Sequence, residues 1–229
     1  NKKSVSELYE FFENAMQYNI ITKQKLDLKF EALKNVFEGN SSLYIHANTV
    51  AGIKESILFA KQFNIEKIVI VGGSESWRIT DFIIEHNIPI ILDRIHRLPS
   101  NDDDDIDQPF KTPKILRDAG ILFCLDYKGD MERMGSRNLP FLAGTTVNFG
   151  LNKEEALELI TLNAAKILDI SNRTGSLEKG KDANLCVSSG DILDVFSNKI
   201  ELAFLMGKKI NLNNHQSQLY EKYLNKDTN

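Results

Sequence analysis

Residues 43–92 decide the fold, and they read LYIHANTVAGIKESILFAKQFNIEKIVIVGGSESWRITDFIIEHNIPIIL. Three short apolar segments alternate here with two segments of helical spacing: Leu43–Ala47, Val50–Phe63, Lys67–Val71, Glu75–His86 and Ile88–Leu92. Unbroken runs of Ile, Val and Leu are typical of strands that are covered on both faces, and crossovers of this length join parallel strands. The stretch therefore predicts consecutive βα units with a parallel sheet.

The pattern continues for one more unit downstream. Gly120–Leu125 is a fourth apolar segment, and Thr112–Ala119 before it predicts a helix with Thr112 as its cap and Pro113 in its first turn. The intervening Arg94–Lys111 contains four consecutive aspartates and favours a solvated loop, because a calcium loop would alternate its ligands and use a glycine for the turn. We assign the four units, residues 41–170, to an α/β sheet or to part of a barrel.

The flanking segments follow other patterns. Residues 1–40 predict two amphipathic helices, which we interpret as a helical lead-in. Asn152 caps a predicted helix that runs to Leu168. Residues 171–212 predict a small β element with glycine-containing turns, and residues 213–229 predict a last helix and a tail.

The composition excludes several classes of protein. The 229 residues include 28 Lys+Arg and 32 Asp+Glu, so no basic excess is available for a nucleic-acid partner. No apolar run approaches the 18 or so residues of a membrane span. Cys124 and Cys186 lie in apolar runs and predict core residues rather than a disulfide or a zinc knuckle. The chain starts at Asn1 without Met, which predicts a fragment or a processed product; the sequence predicts a soluble protein and leaves its compartment undetermined.

Candidate site residues follow the four strands, because ligands meet parallel α/β sheets at the carboxyl ends of their strands. His46 is a candidate metal ligand or general base, and the alternative is a buried histidine bonded to the backbone. Asp126 is a candidate metal-binding carboxylate or general base, and the alternative is a helix cap or an ion pair. Asp93 follows the third strand, and His96 lies beside the acidic loop with which it could pair.

The second strand ends in a different signal, Gly72-Gly73-Ser74. Exposed amides at a helix N-terminus attract anions, so this turn is a candidate site for a phosphate or a carboxylate. It lacks the third glycine of a dinucleotide fingerprint, and a tight βα turn is the alternative.

Two blocks in the second half of the chain resemble a known family. They are Leu157–Leu168, LELITLNAAKIL, and Gly175–Leu185, GSLEKGKDANL. The pair resembles the C-terminal signature of the metal-dependent amidohydrolases, and is most similar to the imidazolonepropionase-like branch. The resemblance implies that the four strands are strands five to eight of a (β/α)8 TIM-type barrel. It also implies that residues 171–212 belong to a small β-sandwich beside that barrel.

The resemblance also implies a chemistry. Members hold one or two divalent ions, usually zinc, through residues on strands one, four, five, six and eight, and the strand-eight Asp takes a proton from the metal-bound water. His46 matches the strand-five histidine, and Asp126 lies near the strand-eight position. The strand-six position is occupied by Gly72 or Gly73, so that ligand is missing, and strands one to four are absent from this chain.

Two hypotheses follow. The first is a fragment of an enzyme that hydrolyses non-peptide C–N bonds of a small amide or lactam, with zinc or another divalent metal in the full-length protein. The second is a catalytically degenerate relative without metal, which binds a small ligand or anion as a subunit. Four strands cannot close a barrel, so we expect two open sheet edges and association with the missing N-terminal half or with a second copy.

Overall fold

The computed structural model describes residues 2–21, 25–128, 132–224 and 226. Four strands alternate with helices in the first two thirds of the chain: β1 (Leu43–Ala47), α3 (Val50–Gln62), β2 (Ile68–Gly72), α4 (Thr80–Glu85), β3 (Ile90–Leu92), α5 (Gln108–Asp118) and β4 (Phe123–Leu125). They are preceded by α1 (Lys2–Ile20) and α2 (Leu28–Phe37). They are followed by α6 (Glu132–Gly135), α7 (Leu139–Asn148), α8 (Lys153–Glu158) and α9 (Leu162–Ile167).

The four strands form one parallel sheet in the order β1-β2-β3-β4. The register pairs Ala47 with Gly72, Gly72 with Leu92, and Leu92 with Leu125, so all four carboxyl ends reach the same level. The α/β class and the parallel pairing predicted from the apolar segments are therefore confirmed.

The two faces of this sheet pack against different partners. Ile45, Ile70, Ile90 and Phe123 point into the main core, which they share with α3, α4, α5 and the lead-in helices. The opposite face forms a small second cluster in which Val69 and Cys124 pack against Ile167 of α9. This second face is the one that would point into a barrel.

One of the two sheet edges is covered by the chain itself. The amide of Leu125 donates to the carbonyl of Leu159 at 3.2 Å, and Asn163 Nδ2 donates to the carbonyl of Phe123 at 3.1 Å. These bonds occupy outward-facing backbone groups of β4, so the prediction of two open edges is wrong for this edge. The β1 edge has no strand beside it within the described part of the chain.

Three predicted helices differ from the structure. The expected helix over 75–86 is a single 3-10 turn, Ser76–Arg78, followed by α4, because Ile79 (φ −136°, ψ 35°) breaks the helical backbone between them. The helix predicted from Thr112 begins at Gln108, because Pro109 is tolerated in a first turn. The helix capped by Asn152 is divided at Thr161, which leaves α8 and α9.

The C-terminal part contains a second, antiparallel sheet. It consists of β5 (Leu185–Ser188), β6 (Ile200–Leu205) and β7 (Lys208–Lys209), and α10 (His215–Leu224) follows it. The expected sandwich is thus a single three-stranded sheet in the described residues. Strand β5 begins well after Gly175, because Gly175 and Gly180 both adopt positive φ.

Among the helices in the described ranges, none is both long and apolar enough to span a bilayer.

Candidate functional site

The carboxyl ends of β1 to β4 form a rim, and each end carries polar residues. The tip of β1 carries His46, which alternates with residues of the main core and is exposed. Its ring has no hydrogen-bond or ion-pair partner among the described residues. Within the described residues, the His46 ring is therefore neither buried nor bonded to the backbone.

The tip of β2 is closed by its own hydrogen bonds. The amide of Gly73 donates to the carbonyl of Ala47 at 2.8 Å, and the amide and hydroxyl of Ser74 both donate to Asn48 Oδ1, at 3.3 and 3.0 Å. The amide of Glu75 donates to the carbonyl of Asn48 at 2.9 Å. The anion site predicted at Gly72, Gly73 and Ser74 relied on free amides at a helix N-terminus. The amides of residues 73–75 are taken, and only a one-turn 3-10 helix follows them.

Gly72 also has no room for a side chain. Its φ is +110°, and a Cβ atom there would collide with Asn48 Oδ1 and lie 3.1 Å from the carbonyl oxygen of Ala47. Gly73 has a φ of +62°, and its Cβ would lie 2.8 Å from Ile90 Cγ2. The second strand therefore cannot contribute a side-chain ligand at these positions without a rearrangement of the turn.

The acidic loop lies against this tip rather than in solvent. Glu75 accepts a hydrogen bond from the amide of Val50 at 2.8 Å and another from Asn101 Nδ2 at 3.0 Å. Asp104 forms an ion pair with Arg78, and its side chain is only 4% exposed. The loop predicted over Arg94–Lys111 is confirmed for residues 94–107, whereas residues 108–111 belong to α5, and a solvated loop does not describe Asp104.

The tip of β3 carries Asp93, Arg94 and His96. The Arg94 guanidinium lies over the ring of Tyr127, 5.6 Å from its centroid. His96 Nε2 lies 2.7 Å from Thr145 Oγ1, and that hydroxyl donates to the carbonyl of Phe141, so the imidazole is the donor. Burial, and secondarily the charge of Arg94, lower the pKa of His96, which favours the neutral ring. His96 thus binds α7 through Thr145, and not the acidic loop.

The tip of β4 carries Asp126 beside a buried thiol. Burial, together with the negative charge of Asp126, raises the pKa of Cys124 to about 12, so this thiol stays protonated and is a poor nucleophile or ligand. The half-buried Asp126 carboxylate has no hydrogen-bond or ion-pair partner in the part of the chain that the structure describes. Within that part it is therefore neither a helix cap nor half of an ion pair.

His46 and Asp126 lie on the two outer strands of the sheet. Three strand spacings separate β1 from β4, which is roughly 14 Å measured along the sheet. Within residues 2–21, 25–128, 132–224 and 226, no three His, Cys, Asp or Glu side chains are grouped closely enough to hold a metal ion. An imidazole and a carboxylate suit zinc, but a catalytic zinc requires three protein ligands, so the described residues do not form a complete zinc site.

Comparison with known proteins identifies relatives. The profile of the Amidohydrolase family matches residues 23–210. Imidazolonepropionases from two strains of Shewanella baltica, OS185 and OS223, are each 40% identical to this chain over 75 residues, which are 32% of this chain and 18% of each enzyme.

Solved structures give a longer match. The structure of an amidohydrolase from Thermotoga maritima MSB8 superposes with a TM-score of 0.71 at 26% identity, and the match covers 91% of this chain and 53% of that one. An adenosine deaminase from Xanthomonas campestris with bound zinc shares the fold, with a TM-score of 0.51 at 14% identity over 87% of this chain and 53% of that one. The chain thus spans about half the length of these structures.

Proposed function

The chain belongs to the amidohydrolase family, and we propose that it forms strands five to eight of a (β/α)8 barrel that hydrolyses a non-peptide C–N bond. The substrate class is a small amide or lactam. The sequential parallel order of β1 to β4 is the order such a barrel requires, and this chain matches 53% of the length of the Thermotoga structure. Strands from the other half, or from a second copy, would pair with the β1 edge. Closure of the barrel would also require them to replace the hydrogen bonds that Leu159 and Asn163 form with the β4 edge.

The observation that carries this proposal is the free state of His46 and Asp126 at the rim. Neither side chain has a hydrogen-bond or ion-pair partner among the described residues, although both lie where barrel enzymes place their reactive groups. His46 would bind zinc or another divalent metal through a ring nitrogen, and Asp126 would bind it through a carboxylate oxygen. A bound ion supplies Lewis-acid activation of water and of the amide carbonyl.

The residues of this chain have defined tasks in that reaction. The Asp126 carboxylate accepts a proton from the attacking water and returns it to the leaving nitrogen, which needs an unpaired carboxylate. His46 would bind the metal from β1, the strand at the other edge of the sheet from β4. The remaining metal ligands would come from strands one to four of the complete protein.

Gly72 favours a second candidate function. A side chain at this position collides with Asn48, so β2 offers no donor where the resemblance expects a histidine. A relative that binds its small ligand without metal and without hydrolysis is consistent with this gap.

Metal analysis of the full-length protein tests the proposal. We expect about one zinc per chain, lost in His46→Ala and in Asp126→Asn and retained in His215→Ala, a matched control at an exposed histidine of α10. Hydrolysis of a panel of small amides and lactams should follow the zinc content. A full-length protein that binds no zinc and hydrolyses none of the panel favours the second candidate.

The open β1 edge has its own test. Light scattering at high concentration should find the 229-residue chain associated with another copy, or with the other half of the barrel when the two are produced together. A strictly monomeric chain that does not bind that other half would contradict the half-barrel.

A further inference from the structure

Two arginines of the described chain have neither an ion pair nor a hydrogen bond, and both lie near Tyr127. They are Arg94, which is half-buried, and Arg137, which is exposed. The other arginines whose side chains are described all have polar partners: Arg78, Arg97, Arg117 and Arg173. A guanidinium carries five N–H donors, and donors that are withdrawn from water without a partner cost free energy. The half-buried Arg94 is therefore the stronger sign of an absent acceptor.

The Arg94 guanidinium is held in place without the use of its donors. It lies over the Tyr127 ring, 5.6 Å from the centroid, which is within the range of a cation–π contact. The ring in turn packs against the main core and against Gly135 of α6, where a Cβ atom would collide with Tyr127 Cε1. A cation–π contact positions the guanidinium and leaves its N–H groups for an acceptor.

Arg137 reaches the same neighbourhood from α6. It lies two residues after Gly135, in the 3-10 turn Ser136–Asn138 that follows this helix directly. Consecutive Cα atoms are 3.8 Å apart, so the Cα atom of Arg137 is at most about 7.6 Å from that of Gly135, which contacts the Tyr127 ring. The two unpaired arginines thus come from separate segments of the chain and meet around one aromatic ring.

The described side chains give this part of the rim more positive than negative charge. Lys128 is exposed and unpaired in the described ranges, and with Arg94 and Arg137 it makes three cations. The carboxylates that follow β3 and β4 are Asp93 and Asp126, and neither forms an ion pair with these cations. The chain as a whole has a net charge of −4, so this local excess is not a general property of its surface. Clustered cations without counter-ions attract anions.

We propose that Arg94 and Arg137 bind an anionic group of a small molecule beside Tyr127. The group is a carboxylate or a phosphate, since the planar fork of a guanidinium matches the paired oxygens of both. Tyr127 is a positioning residue, because it contacts Arg94 and not the anion. The inference goes beyond the proposed function and does not depend on it, since this site requires neither a metal nor hydrolysis.

Anion binding to the full-length protein, freed of metal by a chelator that is then removed, tests the pair. NMR titrations at constant ionic strength measure its affinity for inorganic phosphate and for labelled acetate. The variants are Arg94→Gln, Arg94→Lys and Arg137→Gln, and the matched control is Arg173→Gln, which removes the same charge from an exposed ion pair with Asp182. Circular dichroism and thermal unfolding establish that each variant is folded.

We expect Arg94→Gln and Arg137→Gln each to weaken the tighter of the two anions about tenfold. Arg94→Lys should weaken it less, because it keeps the charge and loses the fork, and Arg173→Gln should leave it unchanged. Tighter binding of phosphate identifies a phosphate site, and tighter binding of acetate identifies a carboxylate site.

The role of Tyr127 has its own pair of variants. Tyr127→Leu should weaken the anion several-fold, whereas Tyr127→Phe should bind it like the wild type, because phenylalanine keeps a ring beneath Arg94. Wild-type affinity in Arg94→Gln and Arg137→Gln overturns the inference. An equal loss in Arg173→Gln does so too, because it would show non-specific attraction, as does a wild-type protein that binds neither anion.

Discussion

The tips of β2 and β4 lie on the same rim and use their polar groups in opposite ways. At β2, residues 73–75 direct their amides to Ala47 and Asn48, and Glu75 binds both α3 and the acidic loop. At β4, Asp126 has no hydrogen-bond or ion-pair partner in the described ranges. The difference separates polar residues that stabilise the fold from those that remain free for a ligand, although all of them follow a buried strand.

The largest expected effect is at Gly72. Gly72→Ala should lower the free energy of unfolding by about 2–4 kcal/mol, because the new Cβ combines a positive φ with a collision against Asn48. Chemical denaturation measures the change. Gly120→Ala is the matched control: Gly120 has a φ of +77° but nothing within 4 Å of a Cβ, so only the strain of about 1–2 kcal/mol applies. Equal losses in both variants would mean that the β2 tip is not tightly closed.

The acidic loop should give the second largest effect. Asp104→Asn removes the charge from a side chain that is 4% exposed and paired with Arg78, and should cost about 1–3 kcal/mol of unfolding free energy. The exposed Asp103→Asn should cost less than about 0.5 kcal/mol in the same denaturation experiment. If both variants behave alike, the loop is not bound to the β2 tip in solution.

His96 should make stability depend on pH. Its pKa is lowered in the folded protein, so the unfolded chain binds a proton first as the pH falls below the unfolded value of about 6.5. The stability contributed by the neutral ring is therefore present above that pH, and is lost as the pH falls towards the lower folded pKa. Denaturation between pH 7.5 and 5.5 should show a smaller loss for His96→Gln, which keeps a donor for Thr145, than for the wild type. Parallel pH profiles would exclude this role.

The smallest expected effect is at the free residues of the rim. Asp126→Asn and His46→Ala should change the free energy of unfolding by less than about 0.5 kcal/mol, because no contact within the described protein is lost. This near-zero change in stability, set against the loss of zinc expected above, would sharpen the contrast with the β2 tip. A large destabilisation would instead assign these residues to the fold.

Much of the fold could be predicted from the sequence, because each strand is a run of apolar residues that can be recognised without its neighbours in space. The apolar segments located β1, β2 and β4, and the capping box of Asn152 and Glu155 located the start of α8. Helix ends were predicted less well. Ile79 and Thr161 interrupt helical spacing through backbone conformations that their residue types do not announce.

The candidate site divides in the same way. The sequence placed His46, Asp93 and Asp126 at the ends of predicted strands. The family resemblance then selected His46 and Asp126 as candidate metal ligands. The sequence did not distinguish Asp104 from Asp103, although the fold buries the side chain of Asp104 and leaves Asp103 exposed. It also left Asp93 without a role, since its only local signal is its position after a short apolar segment.

The sequence by itself determined the parallel βα order, the family and the residue types available at the strand ends, because periodicity and short motifs are local properties of the chain. Only the tertiary structure decided which of those residues are free. Hydrogen bonds between distant segments, such as Asn48 with Ser74 and Asn101 with Glu75, consume the polar groups of one tip and leave those of the next unpaired. Such pairing depends on the register of the sheet and on the path of a loop, and neither is encoded at the residues concerned.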